Sequence, residues 1–127
     1  MIIGVGIDIV ENERVERIFK RFGEKFVHKI LTPGEKEDFF TKVNEKNRVQ
    51  FLAGRWAAKE SFWKACGLSF MFKPLSVRIK ASGDNFTIDV YSEKVKRILE
   101  EKRVEKIFCS ISHERKYSVA VVILEGG

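Results

Sequence analysis

Cysteine, proline and histidine are scarce in this chain of 127 residues, which holds two of each. Two thiols cannot build a disulfide scaffold, and Cys66 and Cys109 each sit inside an apolar run, where an unpaired thiol behaves as a small hydrophobe. A reducing, cytoplasmic setting is expected. His28, His113 and the cysteines show none of the spacings that zinc ligands need. No stretch rich in Pro, Gly or Ser marks an internal boundary, and there is no repeat or low-complexity tract, so one domain over residues 1–127 is expected. Long apolar runs are missing too. The start, "MIIGVGIDIVE", has no basic region ahead of its apolar stretch and meets Asp8 too early for a signal peptide. No other run approaches membrane-spanning length, and no membrane partner is expected.

What remains is ample for a core. With 44% hydrophobic and 12% aromatic residues, the chain can bury one without disulfides or a structural metal. Lys and Arg number 24 against 18 Asp and Glu, a formal net charge of +6. That excess invites an anionic partner: a nucleic acid, a phosphorylated small molecule or an acidic protein. Net charge does not choose among them, and the two signs are interleaved along the chain.

Ile3, Val5, Ile7 and Ile9 alternate with Gly4, Gly6 and Asp8, which predicts a strand with one face in the core and Asp8 on the glycine face. Side chains missing beside a carboxylate leave room for another group to approach. "NERVERIFKRF" reads as a helix with Asn12 as its cap, Gly23 as its stop and Val15, Ile18, Phe19 and Phe22 on its apolar side. Thr32, Pro33 and Glu35 predict a capping box and a short helix over "PGEKEDFF". The loop "NEKNR" then leads into a long helix from about Val49 to Cys66, ended by Gly67. Strands follow over "SVRIKA" and "FTIDVY", joined by a turn from Ser82 to Asn85. "SEKVKRILEEKR" is an amphipathic helix, and "KIFCSIS" and "YSVAVVILE" pair across a turn from His113 to Lys116. Segregated helices and hairpin-like strands make this an α+β fold.

The stretch "RWAAKESFWKACG" is apolar nearly all round. Phe51, Leu52, Trp56, Phe62 and Trp63 cover well over half of the helix, while Glu60 and Lys64 share a strip with Ala53 and Ala57. An ordinary i,i+4 ion pair on a solvated strip explains these two charges, contributing about 0.2–0.5 kcal/mol. Asp8, also set among small residues, opens a second possibility. Two acids with cleared space suit a divalent cation, and Mg²⁺ is usually held by one or two carboxylates together with substrate phosphates. Asp8 alone is equally well read as an acid at a strand end or a helix cap. His113, in the turn "SISHERKY", reads as a loop histidine without a necessary role.

Taken together and in order, "GVGIDIVE", "ILTPGE", "FLAGRWAAKESFWKACG" and "SISHERKYSVAVVILE" resemble the holo-[acyl-carrier-protein] synthases, the short trimeric branch of the 4'-phosphopantetheinyl transferases. The resemblance runs from end to end. Ser61 stands where the family usually carries Ala, and "CGLSFMFKP" and "SGDN" depart from its usual glycine-containing turns.

The resemblance implies an antiparallel sheet packed with a long central helix and shorter helices. It implies transfer of the phosphopantetheine arm from coenzyme A to a serine of apo acyl carrier protein, releasing adenosine 3',5'-bisphosphate, for fatty acid biosynthesis. By the family's pattern Asp8 and Glu60 hold Mg²⁺ against the coenzyme's pyrophosphate. Glu60 is the candidate base for the incoming serine, directly or through a bound water, and Lys64 offsets charge near the phosphates. Arg55, Lys46, Gly67, Ser112 and His113 are placed by the resemblance at the coenzyme. It also implies a homotrimer with active sites between subunits, and docking of the acidic carrier protein on the first helix. There Arg14, Arg17 and Arg21 fall along one edge beside Ile18 and Phe22, an arrangement that a merely solvated face explains as well.

Two other functions fit the composition. A basic nucleic-acid-binding domain would use the charge and the eleven Phe. It lacks an RNP-like aromatic pair or a GxxG loop, and acids interrupt every basic stretch, so no nucleic-acid partner is expected. A Mg²⁺-dependent phosphate-ester hydrolase would use the same two acids and differ in its products.

Overall fold

The first strand carries an alternation strict enough to give it two unlike faces, and the long helix chooses between them. The structure is a computed structural model that describes residues 1–79 and 86–127. Its elements run β1 (Ile2–Glu11), α1 (Asn12–Phe22), α2 (Glu24–Ile30), α3 (Pro33–Phe40), α4 (Glu45–Cys66), β2 (Leu75–Ile79), β3 (Phe86–Val90), α5 (Glu93–Glu101), β4 (Val104–His113) and β5 (Tyr117–Gly126). The strands form one antiparallel sheet in the order β1-β5-β4-β3-β2. This is the expected α+β architecture, with α4 laid across β1 and β5.

The covered face of β1 is the one that carries the glycines. Val5, Ile7 and Ile9 are 55%, 62% and 62% exposed, while Gly6 is buried. The reason is the closeness of α4: a Cβ on Gly4 would collide with the carbonyl oxygen of Ala65, and one on Gly6 with that of Ser61. Glycine is required on the covered face because backbone meets backbone there. The register places Val5, Ile7 and Ile9 beside Ile123, Val121 and Val119 of β5, and these beside Phe108, Ser110 and Ser112 of β4. The result is an apolar outer sheet face.

The opposite face makes the core. Ala120, Val122 and Leu124 of β5 lie under Leu52, Ala53, Ala57 and Phe62 of α4, all of them buried. Ser61 Oγ donates to Ala120 O at 3.0 Å, so even the polar residue on this strip has a partner. Val15, Val27, Ile30, Leu31 and Phe39 close the core from α1 to α3.

Helix ends follow local chemistry, and three assignments differ from the expectation. The capping box at Thr32 and Glu35 forms as expected, and Gly67 ends α4 with φ 70. Asn12 is not a cap: Glu11 occupies that place without a side-chain bond, and Asn12 is a buried first-turn residue bonded elsewhere. Residues 24–30, left unassigned by pattern, form α2. The "NEKNR" loop is helical, because Asn44 Oδ1 accepts from Asn47 N at 2.8 Å and starts α4 four residues before Val49. The turn expected at Ser82 to Asn85 lies outside the described residues. No described helix is long and apolar enough to cross a membrane.

Candidate active site

Because β1 and α4 touch through their backbones, side chains just beyond the contact are brought to one place. Asp8 leaves β1 two residues after Gly6, and Glu60 leaves α4 one residue before Ser61. Both line an open cleft of about 390 Å³ together with Glu11, Arg14, Trp56 and Tyr117. Lys64 reaches across from α4: its Nζ lies 3.0 Å from Asp8 Oδ1 and 3.2 Å from Ile7 O. The i,i+4 pair with Glu60 is thus replaced by an ion pair between helix and strand.

Glu60 accepts a hydrogen bond from Trp56 Nε1 at 2.8 Å. Burial raises the Glu60 carboxyl above its ordinary value; the Trp56 bond and Lys64 pull it back, while the neighbouring Asp8 pushes it further up. Two acids crowded in this way are a donor set that a hard cation relieves. No group of three or more metal-ligating side chains occurs among the described residues. The pair therefore suits an ion that takes its other ligands from water or substrate phosphate, as Mg²⁺ does.

Of the α1 arginines, Arg14 lines this cleft, with its guanidinium 5.8 Å from the Trp56 ring centroid. Arg17 pairs with Glu13 at 3.3 Å and approaches Glu11 at 3.9 Å, and Arg21 lies over Phe22. A second, mainly apolar groove of about 280 Å³ adjoins the cleft at Trp56. Ile18, Phe22, Phe26 and Phe72 line it, with Lys25 and Lys29 at its rim.

The remaining expected residues do not join Asp8 and Glu60 within one chain. Lys46 is exposed in the first turn of α4, 14 residues before Glu60 and so about 21 Å away along the helix at ~1.5 Å per residue. Arg55 is buried: Nε donates to Val77 O at 3.1 Å, and the guanidinium lies 3.9 Å from the Phe51 centroid and 5.1 Å from that of Phe86. Burial lowers it to about 10. Ser112 pairs with Val119 and belongs to the outer sheet face. Gly67 lies past Lys64, with its N–H donating to Lys64 O at 3.2 Å.

His113 is the last residue of β4 rather than a free turn residue, and its ring is engaged. Its Nδ1 is 2.7 Å from Ser118 Oγ, and it packs over Gly54, where an added Cβ would come within 2.7 Å of Cε1. Burial and the nearby Arg55 charge hold the imidazole below its ordinary value.

Sequence reasoning missed the neighbour that braces this helix from behind. Lys59 and Glu35 are fully buried, with Nζ 2.6 Å from Oε1. Lys59 also donates to Ile30 O at 2.7 Å, and Glu35 Oε2 accepts from Val77 N at 2.8 Å. Burial lowers the Lys59 ammonium and Glu35 holds it up. The available signal was a lysine on the buried strip of an apolar helix, which requires an acid from elsewhere in the chain.

Comparison with known proteins agrees with this geometry. Residues 4–122 match the model of the 4'-phosphopantetheinyl transferase superfamily. The holo-[acyl-carrier-protein] synthase of Halothermothrix orenii is 38% identical over 130 residues, covering 100% of both chains. The holo-[acyl-carrier-protein] synthase of Neisseria meningitidis superimposes with a TM-score of 0.86 at 33% identity, over 98% of this chain and 99% of that one. The holo-(acyl-carrier-protein) synthase of Bacillus anthracis, solved in complex with CoA (3',5'-ADP), gives 0.79 at 31% identity over 100% and 99%. The fold, the cleft between β1 and α4, and relatives matched end to end place the chain in one family: it belongs to the 4'-phosphopantetheinyl transferase superfamily.

Proposed function

We propose that this protein transfers the 4'-phosphopantetheine group of coenzyme A to a serine hydroxyl of apo acyl carrier protein, with adenosine 3',5'-bisphosphate as the other product. The setting is cytoplasmic fatty acid biosynthesis, and the free, buried Cys66 and Cys109 suit a reducing compartment. The observation that carries the reading is the convergence of Asp8 and Glu60 in one open cleft of a chain belonging to this family. Names and bound molecules of the relatives support the substrate pair: holo-[acyl-carrier-protein] synthase, and coenzyme A in the Bacillus anthracis complex.

Asp8 and Glu60 are the residues that would hold Mg²⁺. When bound, the ion supplies charge neutralisation at the pyrophosphate as its bridging oxygen leaves. Glu60 takes the proton from the serine Oγ as that oxygen bonds to the pantetheine phosphorus and the bond from phosphorus to the bridging oxygen breaks. Lys64 offers a positive charge beside the phosphates. Arg14, Arg17 and Arg21, with the apolar groove next to Trp56, form the docking face for the acidic carrier protein.

The proposed assembly is a homotrimer with its active sites between subunits. Val5, Ile7, Ile9, Phe108 and Tyr117 are large apolar residues left exposed on one sheet face, of the kind that association covers. Lys46, Ser112 and His113, which do not line the cleft of Asp8 and Glu60 in their own chain, would meet the coenzyme from a neighbouring copy, whereas Arg55 is buried against Val77 O, Phe51 and Phe86 and is not offered to a ligand.

Mass spectrometry of apo carrier protein incubated with coenzyme A, Mg²⁺ and this protein tests the reading. A gain of one phosphopantetheine is expected on the carrier. Cleavage of coenzyme A with no gain would assign hydrolysis instead.

A further inference from the structure

Asn12 at the start of α1 and His113 and Ser118 of the β4–β5 hairpin form a hydrogen-bonded line, and the transfer chemistry above gives Asn12 and Ser118 no part. Asn12 Nδ2 donates to Glu114 O at 2.9 Å and Arg115 O at 3.3 Å, and Asn12 N donates to Lys116 O at 2.8 Å. With its amide nitrogen committed to carbonyls, Asn12 turns Oδ1 toward Ser118, and that oxygen can only accept. Ser118 Oγ donates to it at 2.7 Å. The same hydroxyl lies 2.7 Å from His113 Nδ1 and has no second proton to give. It therefore accepts from the ring, and Nδ1 must carry the hydrogen. Ser118 is fully buried and Asn12 is 7% exposed, so the Ser118 proton is held on Asn12 away from solvent, while His113 itself is an exposed residue.

The geometry points to Asn12 and Ser118 as positioning residues that hold His113 as the Nδ1–H tautomer and leave Nε2 as the one ring nitrogen a ligand can use. On the neutral ring that atom is a hydrogen-bond acceptor. Gly54 completes the seat, because a Cβ there would come within 3.2 Å of Nε2 and displace the ring. The line also joins the start of α1, which carries Arg14, to the β4–β5 turn. The tautomer follows from the contacts alone; its use in holding coenzyme A rests on the transferase reading.

Nitrogen-15 NMR of the imidazoles in the full-length, coenzyme-free protein reads the tautomer. The chain has two histidines, and His113→Gln identifies which signals belong to His113. The neutral ring is expected to carry its proton on Nδ1; a proton on Nε2 overturns the assignment. Ser118→Ala removes the acceptor and should move the population to Nε2–H, the form an unrestrained imidazole prefers. Asn12→Ala frees the Ser118 proton to point at His113 and should give the same change, which keeps the test open if one variant fails to fold. Retention of Nδ1–H in a folded variant overturns the relay. In transfer assays the variants should raise KM for coenzyme A several-fold more than they lower kcat. A tautomer change with KM unaltered overturns the positioning role while leaving the transferase reading intact.

Discussion

Lys64 Nζ lies 3.0 Å from Asp8 Oδ1, so an ion pair between α4 and β1 stands at the point where the two carboxylates of the cleft meet. Lys64 is 55% exposed and Asp8 12% exposed at their side chains. The lysine end is open to water but the carboxylate end is largely covered, so removing Lys64 leaves a mostly buried charge beside Glu60 without its counter-charge. Lys64→Met should therefore lower stability by about 1–3 kcal/mol. In single-turnover assays it should slow transfer on the order of 10²-fold, the scale of losing one charge-stabilising donor. Near-normal transfer would remove Lys64 from the chemistry.

Glu60→Gln should slow metal-dependent transfer by on the order of 10²-fold or more, as for loss of a general base. Its stability has a definite sign. The Glu60 carboxyl is raised in the folded protein, so its stabilising contribution is present at low pH and is lost as pH rises through the folded value. Gln stays neutral and loses nothing. In metal-free buffer Glu60→Gln should melt above the parent protein at neutral pH, with the gap closing below the ordinary glutamate value of 4.5. Added Mg²⁺ should raise the melting temperature of the parent and leave that of the variant unmoved.

Gly6→Ala tests the backbone contact that sets the cleft. Its Cβ would collide with Ser61 O, so strand or helix must shift. Overpacking of this kind costs about 1–3 kcal/mol in urea unfolding. Mg²⁺-dependent transfer should fall further than the stability loss explains, because Asp8 moves relative to Glu60. An unchanged unfolding midpoint would mean the contact is looser than the structure has it.

Arg21→Glu should raise KM for the acidic carrier protein by on the order of tenfold at low salt, and less at high salt as the charges are screened. KM for coenzyme A should stay put, since Arg21 does not line the cleft. Equal loss toward both substrates would show a folding defect instead.

Local rules were legible in the sequence and distant partnerships were not. Thr32 and Glu35 announced their capping box because both ends of it lie within one turn. Lys59, which neutralises that same Glu35, is 24 residues away, and no spacing rule connects them. The alternation in β1 revealed two faces and correctly put Asp8 with the glycines, yet a period of two does not say which face is covered. The glycines face inward because the helix backbone sits where their side chains would be. α2, seven residues long, is too short for its pattern to stand out. His113 was expected in a free turn because Ser118 and Asn12, which hold it, come from the next strand and the first helix.

The close seating of the first strand on the long helix has one more consequence. Rotamer changes and breathing of side chains alter most active-site spacings, but the gauge separating Asp8 from Glu60 is set by main-chain atoms that have nowhere to retreat. The anchor points of both acids are already in register before any ion or diphosphate arrives. On the transferase reading, the two acids are then offered to their ion from a main-chain spacing that the packing of β1 on α4 sets.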